Sequence, residues 1–114
     1  MKEKEAKVVE AVVSGTFKWD NNRPFKHKVK FTMVHNENDY GTGNHILMEV
    51  PDEKEFMPQG YDVRYWGTSD IRKLARMIAE DYWGENMENF KIVKTYKADV
   101  TPPLFFLLIF KKSC

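Results

Sequence analysis

A single α+β domain is the fold this sequence predicts: a mainly antiparallel sheet of about five strands with one long helix packed on one face. Three observations carry that prediction. Several segments alternate apolar and polar residues with a period of two, one segment carries an apolar stripe at helical spacing, and polar clusters rich in Asn, Asp, Gly and Pro separate them. The 114 residues, 42% hydrophobic and 31% charged, suit one globular domain with its own core over 1–114.

The first strand is read in AKVVEAVVSGTFKW, where four valines between Val8 and Val13 favour a pleated sheet over a helix. Val9, Ala11, Val13, Phe17 and Trp19 then share one face, with Gly15 as a bulge position, and DNNRP (20–24) reads as a turn. FKHKVKFTMV (25–34) alternates again, with Val29, Phe31 and Met33 inward and Lys26, Lys28, Lys30 and Thr32 outward. A polar glycine loop, NENDYGTGN, leads to HILMEV (45–50), whose Ile46, Met48 and Val50 point to the core. PDEKEFMPQG is read as a long loop. In YDVRYW (61–66), Tyr61, Val63 and Tyr65 fall on one face and Asp62, Arg64 and Trp66 on the other.

Residues 69–83 form the helix. Leu74, Ala75, Ile78 and Tyr82 lie within about 60° of Ile71 at 100° per residue, a core-facing stripe. Thr68 or Ser69 supplies the N-cap and Gly84 ends the helix. Arg72, Lys73 and Arg76 come early and Glu80 and Asp81 late, against the helix dipole. ENFKIVKTYKADV (88–100) is a further strand, with Phe90, Ile92 and Tyr96 facing one way and Lys91, Val93, Thr95 and Lys97 the other. Residues 101–114 are an apolar C-terminal segment: two prolines, then Leu104–Phe110 without alternation, which is expected to pack as a covered strand.

Composition narrows the function. The formal net charge is +1, so no overall field announces a polyanionic partner, and any such partner must be read by a local patch. The single cysteine, Cys114, has no partner for an internal disulfide, which suits a reducing, cytoplasmic setting. The longest apolar run is far shorter than the roughly 20 residues a membrane-spanning helix needs, so no membrane span is expected.

Catalytic, metal and cofactor motifs are not found. His27, His35 and His45 lack short paired spacing, and the His35–His45 loop fails as an EF-hand because the twelfth position from Asn36 is Leu47. The GTG at 41–43 opens onto a strand rather than the helix N-terminus a phosphate cradle requires. Ser14, Ser69 and Ser113 stand in no nucleophile context. The expectation is therefore a protein without cofactor, and an enzyme only as a third choice.

Surface charge is the positive signal. The outer sheet face is expected to carry Lys26, Lys28, Lys30, Arg64, Lys91 and Lys97 around Trp66. Lys26, Lys28 and Lys30 would form a row about 13 Å long, able to track one phosphate backbone while Trp66 stacks a base. The leading expectation is a small intracellular, non-enzymatic binding module for an acidic partner, nucleic acid or an acidic protein surface. The alternative is an inhibitor or adaptor that docks on protein through Arg72, Arg76 and Trp83, residue types that dominate interface hot spots. A homodimer through the C-terminal apolar segment is a further expectation.

Overall fold

A computed structural model describes residues 4–38 and 41–100. Five strands form one antiparallel sheet: β1 (Lys4–Phe17), β2 (Arg23–Asn38), β3 (Gly41–Glu49), β4 (Gln59–Asp62) and β5 (Met87–Val100). Their order across the sheet is β4-β3-β2-β1-β5, and among the described residues one α-helix, α1 (Ile71–Trp83), crosses one face. This is the predicted α+β architecture, a single domain.

The register explains the core. Val9 stands opposite Phe31, which stands opposite Met48; Ala11 faces Val29; Met33 faces Ile46. These residues point to α1, where Ile71, Leu74, Ala75, Ile78 and Ala79 bury the other side of the same cluster. Because side chains alternate along a strand, the residues between them line the opposite face of the sheet, called here the far face.

Four features differ from the sequence reading. Of the polar stretch 36–44, read as a loop, the described residues 36–38 and 41–44 continue the strands, since β2 runs to Asn38 and β3 starts at Gly41. The β1–β2 turn is where DNNRP predicts one but covers 18–22 rather than 20–24, since β2 already starts at Arg23; Asn21 and Asn22 adopt φ values of 53° and 56°, a left-handed conformation that asparagine tolerates. The helix cap is Asp70, not Thr68 or Ser69. Its carboxylate accepts from the Arg72 backbone N–H at 3.0 Å, while Thr68 Oγ1 accepts from the Asp70 N–H at 3.1 Å. Asp70→Ala should therefore cost about 1 kcal/mol and Ser69→Ala almost nothing. Matched denaturant titrations check this, and equal losses would refute the assignment.

The fourth difference is in β5. Glu10 pairs with Lys94 but Ala11 pairs with Ile92, so Val93 is an extra residue, a β-bulge. One extra residue reverses the alternation beyond it. Phe90 and Ile92 face the helix as expected, but Tyr96 stands beside Val8 on the far face and Lys97 stands opposite Lys7 on the helix side.

Among the described residues no helix is long and apolar enough to cross a membrane. The expected strand in 101–114 lies outside the described residues.

Candidate functional site

The residues expected to form one basic platform are divided by the fold. Lys26, Lys28 and Lys30 do share the far face, and Lys91 joins them across Val12, which pairs with both Lys28 and Lys91. At Lys30 the charges alternate, with Glu49 on one side and Glu10 on the other, and Lys94 beyond Glu10. Lys97 is removed to the helix side by the bulge. Arg64 sits at the other end of the sheet, where its guanidinium grips Asp62 at 2.8 Å and its Cγ covers Gly43.

Trp66 does not lie on the far face. β4 ends at Asp62, and a turn closed by the Trp66 N–H and the Val63 carbonyl resets the alternation. The Trp66 ring packs against the core edge-on to Tyr61, with centroids 6.0 Å apart. Burial raises the Tyr61 hydroxyl to about 12, reinforced by Asp81 and Tyr82, so it stays a neutral donor. Tyr96 offers no open stacking ring in place of Trp66. Its hydroxyl donates to the Glu10 carboxylate and Lys94 Nζ lies 4.9 Å from its ring centroid. The basic surface shrinks to Lys26, Lys28 and Lys91, without an aromatic platform.

The alternative docking trio is also separated. Arg72 and Arg76 are exposed, and Arg76 reaches Glu80 at 4.0 Å one turn on. Trp83 is only 6% exposed and stacks on Phe25 at 6.2 Å. It therefore cannot serve as a protruding anchor beside the two arginines.

Trp83 instead forms the floor of a cleft of about 350 Å³, lined by Phe17, Trp19, His27, Val50, Glu53, Phe56, Tyr82, Trp83 and Asn86. The β1–β2 turn supplies one wall, the last turn of α1 a second and the segment after β3 a third. Two turns, Glu53 N–H to the Val50 carbonyl and Phe56 N–H to the Glu53 carbonyl, fold that segment back so that Phe56 meets Tyr82 at 5.8 Å. Phe17 stacks on Phe25 at 4.4 Å and leans on Trp19 at 5.6 Å. On the turn wall, Trp19 is 74% exposed rather than core-facing, and Tyr82 leaves the expected core stripe and is likewise exposed.

Glu53, His27 and Asn86 bring polar atoms into this cleft beside its aromatic rings. Asn86 Oδ1 already accepts from the Lys18 backbone N–H at 2.9 Å. His27 Nδ1 is 3.6 Å from Asp52 Oδ1, too long for a hydrogen bond, and Asp52 accepts from the Lys28 N–H. Such a lining suits recognition of an apolar or aromatic group with one or two polar contacts. Sequence reasoning missed it because its residues come from four separate segments. The usable hint was the Tyr82–Trp83 pair just before Gly84.

One titrating group belongs to the far face. His45 lies between Val34 of β2 and Asp62 of β4. Burial lowers its pKa below 6.5, Asp62 opposes this, and Arg64 and His35 add to it. The folded state then favours the neutral ring, so stability is complete above 6.5 and is lost as pH falls through the window below it. Burial raises Asp62, but hydrogen bonds from the Arg64 side chain and backbone outweigh it, so its own contribution is lost only below 3.8. Melting temperatures should fall as the pH is lowered from 6.5 toward 3.8, and His45→Gln should flatten that decline. An unchanged slope would exclude His45 as its source.

Comparison with the known protein families, with curated proteins and with solved structures finds no match.

Proposed function

We propose that this protein is a non-enzymatic, intracellular binding module that takes an aromatic or aliphatic side chain of a protein partner into the cleft at the C-terminal end of α1. The observation that carries the reading is the cleft itself, with four aromatic rings, Phe17, Phe56, Tyr82 and Trp83, inside it and the exposed Trp19 at its rim. An exposed tryptophan beside a cleft rich in aromatic rings is the composition of an interface hot spot. The cleft's volume is at the lower end of the range for small-ligand sites, which fits one side chain rather than an extended cofactor. The cytoplasmic setting rests on the single cysteine.

Selection from a library of displayed random peptides tests this. Enriched peptides should share a bulky apolar residue. Trp19→Ala should weaken their binding by tenfold or more while changing stability by less than about 0.5 kcal/mol, as for an exposed side chain. No enrichment, or binding indifferent to Trp19→Ala, refutes the proposal.

A second reading is favoured by the grouping of Lys26, Lys28 and Lys91 around Val12: an acidic partner, protein or nucleic acid, on the far face. Binding there would fall steeply with salt and be lost on reversing those three charges. Cleft binding would withstand both changes.

A further inference from the structure

The lining of the cleft is lopsided in charge. Glu53 contributes a carboxylate, and among the described lining residues there is no lysine or arginine to answer it. Around that carboxylate the aromatic rings are turned against one another. Tyr82 stands at 73° to Trp83 and Phe56 at 66° to Tyr82, so they make walls and a floor rather than one flat stack. The face of an aromatic ring is the negative part of its quadrupole and attracts a cation within about 6 Å, tryptophan most strongly. Trp19 and Trp83 supply two such rings. The chain already seats one cation of its own at this corner. The Arg23 guanidinium lies 5.0 Å from the Phe17 centroid, and Asp20 holds it at 2.6 Å, so that charge is balanced without Glu53.

We propose that the side chain this cleft takes is aliphatic along its stem and cationic at its tip, a methylated ammonium as on a trimethylated lysine of a partner protein. The inference rests on the reading of the cleft as a side-chain pocket and names the chemistry of its occupant. Charge complementarity argues for the cation. A neutral apolar group would displace water from the Glu53 carboxylate and give nothing in return, whereas a cation replaces that hydration with attraction. The rings argue for methylation. An unmodified lysine brings three N–H donors and an arginine five, and these need oriented acceptors around the charge. Here the Asn86 Oδ1 is already engaged by the Lys18 N–H, and rings occupy much of the remaining wall. A trimethylammonium has no N–H to satisfy. Its methyl shell packs on ring faces while its charge is felt by them and by the carboxylate.

Short peptides of one sequence, differing only in a single side chain, test this by calorimetric titration. That position carries trimethyl-lysine, its uncharged isostere with tert-butyl in place of trimethylammonium, lysine or arginine. Trimethyl-lysine should bind at least about tenfold more tightly than each of the others. Glu53→Gln should remove most of the advantage over the isostere without changing the melting temperature, since Glu53 is exposed. Trp19→Ala should weaken the trimethyl-lysine peptide likewise. Equal binding of the charged peptide and its isostere overturns the inference and leaves the cleft as a pocket for neutral side chains. Lysine or arginine binding as tightly as trimethyl-lysine overturns the methylated head. Binding by none of the four overturns the inference too, while the selected peptides decide the earlier reading independently. Tetramethylammonium chloride, against potassium chloride at equal ionic strength, separates the two sources of such a cation. It should compete more weakly than the peptide, because it lacks the stem. Competition as strong as the peptide's would assign the cleft to a free quaternary ammonium and overturn the assignment to a protein side chain.

Discussion

Phe31→Ala should lower the melting temperature by about 12–20 °C, the largest effect of any single side-chain truncation in the sheet. Phe31 lies near the middle of β2, between Val9 of β1 and Met48 of β3, and is wholly buried beneath α1. Its ring also meets Phe90 of β5 at 6.2 Å. Truncation removes a whole ring from a site where three neighbouring strands and a helix converge. None of these can close the gap without breaking register. Such changes cost about 3–5 kcal/mol, and for a domain of this size each kcal/mol moves the midpoint by about 4 °C. Val93→Ala on the bulge is the matched control, since Val93 is largely exposed and should change stability by less than about 0.5 kcal/mol. If Phe31→Ala costs under about 1 kcal/mol, the core is not organised around β2 as described.

The same comparison of residues shows why the fold was legible in the sequence and the binding surface much less so. Alternation in 25–34 and the stripe through Leu74 and Ile78 are averaged over many residues, so no local accident erases them. Which face a particular lysine or tryptophan occupies depends on every residue in between. Val93 adds one residue to β5 and sends Lys97 to the helix side; the turn after Asp62 does the same to Trp66. Neither event has a Gly or Pro to mark it at that position. The cleft was hidden for a different reason. It is built where the ends of four elements meet, and sequence periodicity describes elements, not their meeting points. Trp83 shows both effects, since its wheel position beside Arg72 and Arg76 is right but its neighbours Phe25 and Tyr82 bury it.

Gly15 is the one bulge that did leave a mark, and substituting it should damage stability and the cleft together. β1 and β5 change register between Ser14 and Gly15, and the backbone of Asn86 crosses directly over the glycine. An added Cβ would lie 1.8 Å from the Asn86 carbonyl oxygen and 2.9 Å from the Glu88 backbone nitrogen. Both neighbours are main chain, so no side chain can swing aside, and β5 must move away from β1. That movement strains the hydrogen bonds that fasten this corner, Lys18 N–H to Asn86 Oδ1 and Thr16 Oγ1 to Glu88. Asn86 lines the cleft and Lys18 precedes Trp19, so the damage spreads to the binding surface. Overpacking of this kind costs about 1–3 kcal/mol, and a clash against backbone belongs at or above the top of that range. Gly15→Ala should thus destabilise by about 3 kcal/mol, and Gly15→Val by more. Where the alanine variant still folds, at low temperature, it should bind cleft-selected peptides at least tenfold more weakly than the parent. Trp19→Ala separates the two consequences, because it removes binding without the loss of stability. A Gly15→Ala protein that melts with the parent would mean that β5 passes β1 at a greater distance, and the cleft wall built on Asn86 would have to be redrawn.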